Sequence, residues 1–331
     1  MIPETVSNYF ANKNVVVTGG TGLIGRQVVD LLCGYGAKVK IVSLDKVPHD
    51  ERASMIEGDL AEFSFCKQVT GSADCVFHIA GIKGSVHVTK SKPASFFVPL
   101  LQMNTNLLEA ARLNKVEKIV YTSSIGAYPN AEVFVEPENI DDWEGAPMDM
   151  YPGWAKRMAE MQVRAYHRQY GLENFGVVRL SNVYGPGDNF DPENAMVIPS
   201  LMARVRSGEN PLSVWGDGSA IRDLAYSRDV AKGIVLALYH GTRGQVVNLG
   251  SGNGYSIKEL VETLCELLEI EASFDTSKPS GFPKRVMSID RAREWLGFVP
   301  ETSLRDGLEA TWKWYLSNPD EFLLRKNYFK D

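Results

Sequence analysis

Asn14-Val-Val-Val-Thr-Gly-Gly-Thr-Gly-Leu-Ile-Gly25 runs from a β-branched segment into three spaced glycines, Gly19, Gly22 and Gly25. The valines suit an extended chain. Glycines at this spacing suit a sharp turn, a close backbone approach to a pyrophosphate, and a helix packed hard on the preceding strand. The helix that follows, Gln27-Val-Val-Asp-Leu-Leu-Cys33, carries apolar residues at helical spacing, and a second strand follows over Val39–Leu44. A helix N-terminus presents unpaired N–H groups and a positive dipole end, so this turn is expected to hold the phosphates of a dinucleotide. Its expected cofactor contacts are Gly19, Thr21, Gly22, Leu23, Ile24 and Gly25.

Outward from the turn, strand and helix continue to alternate. Met55-Ile-Glu-Gly-Asp-Leu60 reads as a third strand, Cys75-Val-Phe-His-Ile-Ala-Gly81 as a fourth and Lys118-Ile-Val-Tyr-Thr-Ser-Ser124 as a fifth, with an amphipathic helix over 98–113 before the last. Asn174 to Pro186 reads as a sixth strand running into a turn. The alternation predicts a Rossmann-type α/β fold: a doubly wound parallel sheet with ligands beyond the carboxyl ends of its strands. Ala80 and Gly81 are small residues at such an end and are expected against cofactor, while His78 reads as a core histidine. Past 180 the alternation weakens. The expected division is a dinucleotide-binding domain over 1–180, to which later segments return, and a smaller mixed α/β substrate-binding region over 181–331, with helices over 256–270 and 303–317.

The end of the second strand is where such a fold selects its cofactor. Asp45 lies about twenty residues past Gly25, the place of an acidic residue that binds the ribose hydroxyls of NAD. Ser43, two residues earlier, points the same way on a strand. NAD is the expected cofactor, with NADP left open.

The 331 residues are 44% apolar with a net charge of −6, which suits a large buried core and offers no basic run for nucleic acid. The start of the chain lacks the layout of a signal peptide, and no apolar span is long enough to cross a bilayer, so a cytoplasmic protein without a membrane partner is expected. Cys33, Cys66, Cys75 and Cys265 stand apart, which implies neither a disulfide framework nor a metal site.

The form T-G-G-x-G-x-x-G at Thr18 to Gly25 resembles the short-chain dehydrogenase/reductase superfamily, in particular its extended branch of nucleotide-sugar epimerases and dehydratases. The resemblance runs from Val15 to about Pro300. It implies that Asp59 and Leu60 hold adenine, with a helix cap as the plain alternative for Asp59, and that the acidic cofactor-selecting position falls on Ser43. Ser123-Ser-Ile-Gly-Ala-Tyr-Pro129 resembles the family's S-S-x-x-x-Y-G, which makes Ser124 the hydroxyl that bonds the sugar oxygen. Met150-Tyr-Pro-Gly-Trp-Ala-Lys156 resembles the Y-x-x-x-K helix, making Tyr151 the base and Lys156 the cation that assists it, both also against the cofactor. Here the pattern is broken: Tyr151 and Lys156 are five residues apart, and Pro152 takes the usual tyrosine position. Proline suits the first position of a helix, so Tyr151 is expected just before it.

Arg-Leu-Ser-Asn-Val-Tyr-Gly-Pro186 resembles the family's R-x-x-N-V-Y-G-P and implies that Asn182 touches substrate. Asp188-Asn-Phe-Asp-Pro-Glu-Asn-Ala-Met-Val-Ile-Pro199, with Val197, is similar to a stretch of the GDP-fucose synthase group. Trp215 to Tyr226 resembles W-G-x-G-x-x-x-R-D-F-x-Y, implying that Arg222 binds the substrate diphosphate, with a salt bridge to Asp223 or Asp229 as the alternative. Lys284 and Arg285 are a possible second cationic site. The acid/base residues of dehydratases would fall on Ile125 and Gly126, and those of the 3,5-epimerising members on Gly126 and Met196, so neither set is present. The expected reaction is C4 epimerisation of a nucleotide hexose, with a GDP-sugar as the candidate, through a 4-keto sugar. Its alternatives are a 4-ketosugar reductase and, in another class, a non-catalytic dinucleotide sensor. The resemblance also implies a homodimer through the helices over 98–113 and 152–170.

Overall fold

The computed structural model describes residues 2–82, 84, 86–138 and 145–326. At its centre is a seven-stranded sheet. Its strands are β1 (Asn14–Thr18), β2 (Lys38–Ser43), β3 (Ser54–Glu57), β4 (Cys75–His78), β5 (Lys118–Ser124), β6 (Phe175–Leu180) and β7 (Val246–Leu249). They lie in the order β7-β6-β5-β4-β1-β2-β3, and every pairing is parallel. Chain order reverses between β1 and β4. That switch point opens a crevice at the carboxyl ends of these two strands.

Parallel strands joined by crossover helices are buried on both faces, so they read as apolar runs. Val15 and Val17 of β1, with Phe77 of β4, face a core shared with the helices Gly25–Gly34 and Ser227–His240. Val16 and Val76 face the opposite core, built on the helices Pro93–Leu113 and Met150–Tyr170. His78 belongs to this packing. It is fully buried, bonded to Thr18 Oγ1 and Asn104 Oδ1 at 2.9 Å each, and burial pushes its pKa down to about 3, so it stays neutral.

The chain after β6 departs from a simple continuation. Asn174 to Pro186 is not one strand: it breaks at Ser181, so that Phe175–Leu180 joins the main sheet while Asn182–Tyr184 pairs with Leu224–Tyr226. A smaller mixed sheet brings Ile221–Arg222 between Tyr255–Ser256, antiparallel, and Lys284–Met287, parallel, with Val133–Phe134 beyond. The helices Val197–Arg206, Ile257–Leu268 and Leu304–Ser317 enclose a separate apolar cluster that includes Met202, Leu260 and Leu308. Ser256 opens the second of these with a capping box to Glu259. This region forms the second wall of the crevice.

Candidate active site

One cleft of about 1640 Å³ runs from the glycine turn to the second wall, and every residue singled out above as catalytic, cofactor-binding or substrate-binding, Lys284 excepted, lines it. At its dinucleotide end the backbone is crowded in the way a phosphate cradle requires. A Cβ on Gly19, which has φ +67°, would lie 2.8 Å from Ala80 Cα, and one on Gly25 would drive into the Gly19 carbonyl oxygen. A Cβ on Gly22 meets only that oxygen, at 3.3 Å, and leaves the cleft side open for a ligand. These residues fit a dinucleotide.

At the ribose end, Ser43 and Asp45 both line the cleft. Ser43 is buried and shares a 2.8 Å hydrogen bond with Thr21 Oγ1. Asp45 reaches the cleft, but its Oδ1 accepts the Lys326 amide at 2.9 Å. The segment 321–326 therefore lies over this end. It is anchored by Glu321, which takes Arg26 at 2.6 Å and Arg325 at 2.7 Å. The sequence offered no signal for this closure, because its partners lie at opposite ends of the chain. Asp59 accepts the Ala61 amide at 2.9 Å and leaves the following helix, which opens at Phe63 after Glu62, uncapped. Leu60 is buried beside it.

In mid-cleft, Ser124 ends β5 and its Oγ accepts the Gly126 amide at 3.1 Å. Tyr151 does not precede its helix. The helix spans Met150–Tyr170 with Asp149 at the N-cap, so Tyr151 is the second helical residue and Pro152 the third. Proline is tolerated there because first-turn amides have no partner within the helix. Tyr151 is 44% exposed and meets Phe97 edge-on, ring centroids 6.3 Å apart. Lys156 Nζ donates to the Thr122 carbonyl at 2.7 Å and lies 5.1 Å from the Tyr121 ring. Burial pushes its pKa down to about 8, against the opposing pull of Glu160. Among the described residues, no hydrogen bond or ring contact joins Lys156 to Tyr151.

The other wall carries the arginines. Arg222 donates to the carbonyls of Ile221 and Phe282 at 2.8 and 2.7 Å, not to Asp223 or Asp229. Those carboxylates are used elsewhere: Asp223 receives Ser251, and Asp229 receives the amides of Glu301 and Thr302. Arg285 packs over Phe282 at 4.7 Å, and its Nε is buried without a hydrogen bond. Of the pair Lys284 and Arg285, the cleft is lined by Arg285. Burial and the neighbouring Arg285 both lower the Arg222 pKa, as expected of two cations facing a common space. Asn182 donates to the Asp223 carbonyl at 3.1 Å, and Val197 opens its helix at the cleft edge.

With this geometry in view, residues 15–250 match the NAD dependent epimerase/dehydratase family. The chain belongs to that family. It is an NAD(P)-dependent enzyme of the extended short-chain dehydrogenase/reductase type, the class of nucleotide-sugar epimerases and 4-ketoreductases. It is 30% identical over 324 residues to a probable GDP-L-fucose synthase of Oryza sativa, covering 94% of this chain and 95% of the relative. It is also 30% identical over 321 residues to a dTDP-4-dehydro-6-deoxy-D-allose reductase of a Streptomyces species, covering 92% and 97%. Its fold superposes on an epimerase of Methanothermobacter thermautotrophicus with a TM-score of 0.82 and 26% identity, covering 97% and 96%. No described helix of this family member is long and apolar enough to cross a membrane.

Proposed function

We propose that the protein reduces a nucleotide-linked 4-keto hexose at C4. The observation that carries the substrate class is the pair Arg222 and Arg285, two half-buried guanidiniums on one cleft wall with no ion pair to a carboxylate among the described residues. Two cations held together in this way are relieved by a diphosphate, whose oxygens match the planar guanidinium fork. The sugar then lies toward Ser124, between the arginine wall and the glycine turn. GDP is the first nucleotide to test, because the stretch over 188–199 and the name of the Oryza relative point to it.

Gly19, Gly22 and Gly25 would hold the cofactor, which would supply the hydride. Ser124 Oγ donates a hydrogen bond to the sugar O4, favouring the charge that grows there. Tyr151 gives O4 its proton from the first turn of the helix, and Lys156 holds a positive charge beside the Thr122 carbonyl. The reductive direction is favoured by the likeness to the dTDP-4-dehydro-6-deoxy-D-allose reductase over nearly the whole chain. C4 epimerisation is the second reading, favoured by the likeness to the methanogen epimerase over nearly the whole chain.

We place the enzyme in the cytoplasm as a homodimer through the helices over 93–113 and 150–170. Support comes from Val98, Leu113, Met161 and Tyr170, exposed apolar side chains on these helices. Light scattering that finds only monomer would refute the dimer. The activity is tested by supplying NADPH or NADH with GDP- and dTDP-linked 4-keto-6-deoxyhexoses. One equivalent of cofactor should be oxidised per alcohol formed, and no oxidation with any of them would refute the reading.

A further inference from the structure

Asp149 occupies the N-cap of the Met150–Tyr170 helix, yet its carboxylate caps nothing. An N-cap aspartate ordinarily accepts the amide two or three residues on. Here the third helical residue is Pro152, which has no N–H, and no side-chain hydrogen bond is made to the second. The carboxylate turns instead onto Gly126 at the cleft floor. A Cβ on Gly126 would collide with Asp149 Oδ2 and lie 2.9 Å from its Cγ. Ser124 Oγ accepts the amide of the same Gly126, so the hydroxyl and the carboxylate flank one residue and both line the cleft. Asp149 is exposed as a residue, and desolvation where its carboxyl lies against Gly126 raises its pKa, with Arg285 pulling the other way.

We propose that Asp149 is a second acid/base group of this site, exchanging a proton on a sugar carbon adjacent to the C4 ketone. The idea rests on the reading of the substrate as a 4-keto sugar. A ketone held by Ser124 acidifies the hydrogens on C3 and C5. The Asp149 carboxylate takes one such proton, and the C–H electron pair becomes a C=C bond as the carbonyl π pair moves onto O4. In the return step the carboxylic acid, or a proton that has reached it from water, re-forms the C–H bond and O4 becomes a carbonyl again. No oxidant or reductant is consumed. Among the described residues this carboxylate is bound to neither a helix amide nor a salt-bridge partner, and it shares Gly126 with the hydroxyl that polarises the ketone, which suits it to this step.

The test uses the whole protein, with GDP- and dTDP-linked 4-keto-6-deoxyhexoses as probes in deuterated water. Deuterium gained at C3 or C5 is read by mass spectrometry and NMR, with and without NAD(P)H. The wild type should wash deuterium into one of these carbons without any cofactor oxidation. Asp149→Asn should lower that rate at least about 100-fold, the lower end of what a positioned acid/base group contributes. Gly126→Ala, which retains the Asp149 side chain but pushes its carboxylate aside, should lower it as well. This second variant decides the matter should Asp149→Asn fail to fold. No wash-in by a wild type that still reduces the ketone would overturn this inference and leave the reductase reading intact. Wash-in by Asp149→Asn at the wild-type rate would do the same. Wash-in without reduction on any probe would overturn the reductase reading and support this inference.

Discussion

Lys156 gives its ammonium hydrogen to the Thr122 carbonyl at 2.7 Å and makes no bond to Tyr151, although both stand on one helix. Five residues turn a helix by about 140° beyond a full revolution, so side chains at that spacing diverge. The separation leaves the lysine fixed to the sheet and the Tyr151 hydroxyl, which the proposed reduction uses as proton donor, apart from it. Tyr151→Phe is therefore expected to cut the reduction rate by about 100- to 10,000-fold, the range of a lost positioned proton donor. Steady-state assay of cofactor oxidation checks this, and an unchanged kcat would remove Tyr151 from the reaction.

The Lys156 ammonium, pushed down to about 8, sets an alkaline limb. Below that pH it is charged and above it neutral, so kcat should fall as pH rises through about 8. Stability moves the opposite way. A folded pKa below that of a free lysine means that the folded state binds fewer protons than the unfolded chain between the two values. The burial cost of the charge is therefore felt fully below about 8 and is relieved as pH rises from there toward the free-lysine value. Lys156→Met should remove both effects, as read by kcat profiles and thermal melts across this range.

Arg222→Ala should raise KM for the sugar nucleotide about 10- to 100-fold, since a hydrogen bond to a charged group contributes about 1.5–3 kcal/mol. The smaller effect should fall on kcat. Initial-rate kinetics with the sugar nucleotide varied at saturating cofactor separate the two, and an unchanged KM would place the diphosphate elsewhere.

Gly25→Ala should abolish dinucleotide binding, because the new Cβ drives into the Gly19 carbonyl and breaks the turn. Overpacking of this kind costs about 1–3 kcal/mol of stability, which a thermal melt reads. Fluorescence titration with NADPH reads the binding.

These positions differ in how far the sequence discloses them. The turn from Gly19 to Gly25 is legible because all its constraints lie within one short stretch. The parallel sheet is legible because buried strands read as apolar runs. The break at Ser181 is hidden, since Phe175–Leu180 and Asn182–Tyr184 read as one extended segment until their different partners are known. β7 is four residues long and arrives after a helix from a region of different character, which gives it no periodic signature. Arg222 is legible as a cation, but its freedom from Asp223 and Asp229 depends on Ser251, Glu301 and Thr302 engaging those carboxylates first. Asp149 was silent for the same kind of reason. A sequence registers an aspartate before a helix as a cap, and only the fold brings its carboxylate onto Gly126.

The most direct test of the central claim follows the hydride. The protein is given a GDP-linked 4-keto-6-deoxyhexose with NADPH carrying deuterium on its transferable position, and the product is read by NMR and mass spectrometry. The expected result is one deuterium fixed at C4 for each cofactor oxidised, with no C4 alcohol formed when cofactor is withheld. A C4-inverted nucleotide hexose of unchanged mass, formed from a non-keto substrate without added cofactor, would contradict the reductive reading and establish an epimerase.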